Sequence, residues 1–172
     1  MVVSVDDDAV VKIVRLFNES KGREYLMSQG VDPEVVSNLG LLGISCIGNM
    51  IGAIKFAKYY ELDEDDWVVT VFTDSMDLYL SRVQELAEEQ GAYSEVTAAR
   101  DHQTLLDAGL EHLLELGYYD RKRIHNLKYF TWIEQQGREV SELNAQWHDH
   151  QQYWKGIFSL DSKIDGLIEE FN

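Results

Sequence analysis

This 172-residue chain has one proline, one cysteine and few basic residues. A lone cysteine, Cys46, excludes an internal disulfide and fits a reducing compartment. With Pro33 the sole proline and the glycines scattered, a linker-rich or disordered chain is excluded. No apolar run approaches the ~20 residues that a membrane-spanning helix needs. Met1 to Asp8 lacks the basic and apolar regions of a signal peptide, so a cytoplasmic location is expected. Basic residues number 15 against 31 acidic ones, a net charge of −16. That surface repels phosphate backbones and anionic lipids, so neither nucleic acid nor membrane is expected as a partner.

What is present reads as two halves. Val2, Val3 and Val5 form a β-branched run long enough for one strand. Asp6-Asp7-Asp8 offers an N-cap and negative charge where a helix leaves backbone N–H groups unpaired. Val10, Ile13, Val14 and Phe17 follow at helical spacing. Asp32-Pro33-Glu34 is a cap with a first-turn proline, the start of another short helix. Residues 45–60 read as a mostly apolar helix, with Lys55 and Lys58 on its wetter side and Gly48 and Gly52 allowing close packing. Trp67 to Phe72 is a nearly continuous apolar run rich in valine, the pattern of a strand buried on both faces of a parallel sheet. Two strands are too few for a free-standing parallel sheet, so half a sheet is expected to be missing.

Composition shifts after Gly91. Residues 95–116 carry Leu106, Leu110, Leu113 and Leu114 at helical spacing, 120–136 carry Ile124, Leu127 and Phe130, and 140–158 carry Val140, Leu143, Trp147 and Trp154. No strand signal occurs in this half. Trp67, Trp132, Trp147 and Trp154, with several tyrosines, are expected to pack the helical tail on a missing half or a second subunit.

Three short motifs occur in a telling order: Val3-Ser4-Val5-Asp6 with Ala9, then Gly43-Ile44-Ser45, then Thr73-Asp74-Ser75 with Tyr79-Leu80-Ser81. Over residues 1 to about 82, this succession resembles the C-terminal part of the cysteine synthase-like enzymes. These are pyridoxal-phosphate (PLP) proteins of the tryptophan synthase β fold. The resemblance implies an α/β fold, here a partial parallel sheet covered by helices over residues 1–90, followed by an all-helical extension over 91–172. It also implies that Ser75, ending the second strand, donates its hydroxyl to the pyridine nitrogen of PLP. The plainer reading of Ser75 is a helix cap beside Asp74. The chain departs from the family where Gly-Ile-Ser-Ser-Gly-Ala is replaced by Gly43-Ile44-Ser45-Cys46-Ile47-Gly48, and at Met76 and Leu78.

The family's cofactor lysine and glycine-rich phosphate loop precede this region, and none of the eight lysines here stands in a loop suited to either role. No catalytic residue is therefore assigned. Met1 is expected to be internal to a longer reading frame, with the missing N-terminal catalytic half, or a homologous subunit, as partner in an oligomer. The reading is a C-terminal fragment or subunit of a PLP-dependent lyase or transferase, acting by β-elimination or β-replacement on serine-derived amino acids and inactive alone. The alternative is a non-catalytic helical assembly module.

Other candidates carry less. His148 and His150 stand two apart and diverge on a helix, so no metal site is expected. His102, His112 and His125 read as surface or core-edge residues. Arg121-Lys122-Arg123, with His125 and Lys128, reads as a solvated helix face, although it could hold an anion or an RNA backbone. Cys46, at a helix start where a thiolate is favoured, reads as a buried or merely tolerated cysteine.

Overall fold

The computed structural model describes residues 1–171 and divides them into two packed units, Met1–Glu115 and a second from Leu116 onward. The first is built around one helix. Asp6 accepts the Asp8 amide and opens α1 (Asp7–Asn18), and the apolar face read from its spacing, Val10, Ile13, Val14 and Phe17, is buried, together with Leu16. Around α1 pack α2 (Ser20–Ser28), α4 (Ile44–Tyr59), α5 (Leu80–Gln90) and α6 (Glu95–Leu106). The short α3 (Pro33–Asn38), capped by Asp32, contributes Val36 to the same core. Ile13, Leu16, Ile47 and Leu86 are fully buried, each worth roughly 1.5–3 kcal/mol relative to exposure. Because α6 packs on α1 and α2, the helix that follows the composition shift at Gly91 belongs by packing to the first unit.

The expected α/β arrangement, a partial parallel sheet under helices, does not form. The protein is mostly helical, and among the described residues its one sheet is a pair of two-residue strands, β1 (Val2–Val3) and β2 (Leu113–Leu114), running antiparallel with Val2 opposite Leu114. The strand at Leu113–Leu114 lies where helical spacing pointed to a helix. That helix stops at Leu106, and the chain turns back to reach β1. Trp67–Phe72 belongs to no sheet. Its side chains are open to solvent, Trp67 at 91% and Val69 at 89% exposure. A parallel strand needs a neighbour joined through a covering crossover, and none is present beside this run among the described residues.

The second unit is helical: α7 (Tyr118–Asn126), a wide π-helical turn over Tyr129–Gln135, α8 (Val140–His148), a second such turn over His150–Trp154, α9 (Lys155–Phe158) and α10 (Asp161–Phe171). Gln146 ties it together: its Oε1 accepts from Lys128 Nζ at 3.0 Å, its carbonyl from Trp154 Nε1 at 2.8 Å, and its Nε2 donates to the Tyr153 hydroxyl at 3.2 Å.

Candidate functional site

Gly43, Asp74 and Ser75 meet where α4 begins. Gly43 is the N-cap of α4 and brings no side chain to its unpaired N–H groups. Asp74, from the end of the bare run, supplies the carboxylate instead. Gly43 N–H donates to the Asp74 carbonyl at 3.1 Å, and the Cys46 thiol donates to the Asp74 carbonyl at 3.1 Å and to Oδ1 at 3.0 Å. The Cys46 thiol, then the Tyr79 hydroxyl and the amides of Ser45 and Cys46, hold the Asp74 carboxyl below the usual carboxylate range. In return, the carboxylate raises Tyr79 above the ordinary phenol value. Asp74 Oδ2 is shut off from solvent without a hydrogen bond of full geometry, so these groups act on it chiefly through their dipoles. Cys46 is fully buried here, as the sequence indicates.

Ser75 follows at once. It is half-buried, its backbone is extended (φ −119°, ψ 163°), and it precedes a short 3₁₀ turn, Met76–Tyr79. Its carbonyl accepts the Leu78 amide at 3.2 Å, while its hydroxyl caps no backbone amide and donates to Asp77 Oδ2 at 3.3 Å. Asp74, not Ser75, bonds to the helix start at this junction, through its backbone carbonyl to the Gly43 amide and its carboxylate to the Cys46 thiol.

The residues around Ser75 do not by themselves fit PLP. The cofactor needs an amine and a nest of phosphate donors, and Ser75 lines none of the three main clefts of the described residues. The one buried lysine among the described residues, Lys55, belongs to a cleft of about 820 Å³, bordered by Asp6, Lys12, Arg100, Asp107 and Glu111. There Lys55 Nζ donates to the Ser4 carbonyl at 3.0 Å and lies 3.7 Å from Glu111 Oε1, so it clamps the chain at β1 to the segment entering β2. Lys58 Nζ reaches the carbonyls of Leu106 and Ala108 at 3.0 and 2.8 Å, just past α6. The sequence placed both lysines on a wet face. Lys55 is buried, because its stem crosses apolar surface to a carbonyl that local spacing does not reveal.

Sequence reading missed a buried polar network. Arg15, 2% exposed, donates to Glu19 Oε1 at 3.1 Å, Gln90 Oε1 at 3.2 Å and the Gly91 carbonyl at 2.8 Å, and stacks over the Tyr93 ring at 4.8 Å. Tyr93 donates to buried Asp101 at 2.9 Å, and burial followed by that bond pushes its phenol far above the ordinary value. Arg15 is the only charge on the buried face of α1, and that one departure from the helical pattern was the available signal.

The remaining candidates disperse. His148 ends α8 and His150 begins the next turn, and the described residues hold no group of three or more potential metal ligands. His102 lies against Tyr25, and His112 sits just before β2. His125 is buried in the second unit, with Nε2 3.0 Å from the Leu143 carbonyl. A carbonyl only accepts, so His125 carries its proton on Nε2. The aromatic residues Tyr118, Trp147, Trp154 and Phe158 line a groove of about 640 Å³ with Arg121.

Set against protein-family models, curated proteins and solved structures, the chain matches none. No single helix among the described residues is long and apolar enough to cross a membrane. Pro33–Leu41 and Ile44–Tyr59 together have the apolar length but bend by 119°, and they bury Val36, Ile47 and Ile51 in the core.

Proposed function

We propose that the chain is the C-terminal part of a PLP-dependent, cysteine synthase-like enzyme. It would act in the cytoplasm and serve β-elimination or β-replacement on serine-derived amino acids only when a partner polypeptide supplies the lysine and phosphate nest. The observation that carries this reading is the bare run Trp67–Phe72. Its side chains are those of a strand interior, yet among the described residues the only hydrogen bond to its backbone is from Asn49 Nδ2 to the Val71 carbonyl at 3.0 Å. Unpaired backbone beside exposed tryptophan and valine is the chemistry that an added strand satisfies. Ser75 stands three residues beyond its end, where the motif order would put a hydroxyl against the cofactor ring.

PLP would supply electron withdrawal from the substrate's α-carbon. This chain's own contribution would be to hold Ser75 in place through the Asp74–Gly43 junction and to offer the strand surface. No catalytic step is assigned to it.

The second reading, a helical assembly module without cofactor, is favoured by the engagement of the Ser75 hydroxyl with Asp77. Co-expression with the products of the flanking genes separates the two. A purified complex showing the cofactor's visible absorption, weakened by Ser75→Ala, supports the enzyme. A colourless stable complex supports the module, and a chain that stays alone and colourless overturns both.

A further inference from the structure

The second unit contains a helix with no buried residue and a groove lined by aromatic side chains. In α10 no residue is buried, and Ile164, Leu167, Ile168 and Phe171 stand 51–91% exposed at spacings of three, four and seven. This is the anchor pattern of a helix that lies in an apolar groove. The groove of about 640 Å³ is walled by Tyr118, Trp147, Trp154 and Phe158, with Arg121 beside them.

Charge selects the occupant. In a chain of net charge −16, the only run of three cations is Arg121-Lys122-Arg123, on the helix that forms one wall. Lys122 Nζ lies 4.7 Å from the centre of the Trp147 ring, and Arg121 has no carboxylate within ion-pair distance among the described residues. The α10 helix bears Asp161, Asp165, Glu169 and Glu170 against a single Lys163, so its apolar stripe is bordered by acid. Its own groove is hard for it to reach. Phe158 is part of the wall, only Ser159 and Leu160 intervene, and α10 lies with every described side chain exposed.

We infer that α10 of one chain docks in the aromatic groove of a second copy, with its acidic border against Arg121 and Lys122. Reciprocal docking closes a two-fold dimer, leaving neither stripe nor groove open. The inference is independent of the cofactor reading, since it uses only residues of the second unit.

Sedimentation of the full chain tests it. A dimer is expected, and Leu167→Asp with Ile168→Asp should make it a monomer of unchanged helical circular dichroism. Arg121→Glu, on the groove side, should weaken dimerisation by about tenfold or more. A peptide spanning Ser159–Phe171, added to the monomeric double variant, should bind and change tryptophan fluorescence, and Arg121→Glu in that variant should abolish the effect. A full chain that is monomeric at about 100 μM, where a specific contact of this kind should be occupied, overturns the inference. So does a dimer indifferent to both sets of substitutions.

Discussion

The carboxylate of Asp74 rests directly on Gly43: a β-carbon at that glycine would lie 2.5 Å from the Asp74 Cγ. A cap normally comes from the residue at the helix start. Here the Gly43 amide is instead accepted by the Asp74 carbonyl, 31 positions later, so the start of α4 and the segment just past Phe72 are locked to each other.

Gly43→Ala should therefore force this junction apart. We expect a loss of about 1–3 kcal/mol, the usual penalty for an overpacked site, read as a lower unfolding midpoint in urea. Gly52→Ala is the control. Its β-carbon would meet only Val5 Cγ2, at 3.7 Å, and in the middle of α4 alanine should raise the midpoint, by up to about 1 kcal/mol of stability.

Asp74 makes this lock pH-dependent. Its folded pKa is lowered, so its stabilisation is fully present above the ordinary aspartate value of about 3.9 and disappears as pH falls through the lower folded value. The thermal midpoint of Asp74→Asn should lie below that of the parent at pH 7. The gap should close in that acid window, and a constant gap down to pH 2 would refute the assignment.

His125 gives the second unit an acid limit of its own. Burial lowers its pKa, more than the Leu143 carbonyl raises it, so the native imidazole is neutral where the unfolded one is already charging. Stability should fall as pH drops below about 6.5 and level off beneath the lowered native value. Histidine proton chemical shifts followed by NMR would give the native pKa directly, and a value at or above the ordinary one would contradict the burial argument.

Arg15→Met keeps the length of the side chain but removes its charge. It strands the Glu19 carboxylate, the Gln90 side-chain Oε1 and the Gly91 backbone carbonyl, all bonded to one guanidinium. A cost of about 3 kcal/mol is expected from losing one member of a buried charged network. Chemical denaturation measures it, and a change under about 0.5 kcal/mol, the range of ordinary surface substitutions, would mean that the network is dispensable.

Hydrogen exchange reads the bare run. The amides of Val68, Val69 and Val71 should exchange at nearly unprotected rates in the isolated chain, and should gain protection in a complex that adds a strand. Val69→Pro should leave the stability of the lone chain unchanged while preventing that protection, because proline cannot donate to a strand ladder.

Much of the helical frame was legible in the residues. Asp6 and Asp32 cap where their positions suggest, the face of α1 is the one its spacing marks, and α4 begins at Ile44, one residue before the start read from the sequence. Each depends on groups within one or two turns, so a short window of sequence contains both partners. The candidate site was legible in part: Thr73-Asp74-Ser75 does follow an apolar run beside the start of α4, but the residue bonded to that start is Asp74.

Pairing was not legible in the same way. The apolar run from Trp67 to Phe72 recorded a need for cover without naming what covers it, and Val2–Val3 found its partner at Leu113–Leu114, more than a hundred residues away. Lys55, marked by spacing as solvent-facing, is buried because a carbonyl at Ser4 comes within its reach. The sequence by itself determined where helices start and which faces are apolar, since capping and side-chain periodicity are local. Only the tertiary structure decided that no parallel sheet forms, which strands meet and which polar groups go inside. Those outcomes depend on segments far apart in the chain arriving within hydrogen-bonding distance.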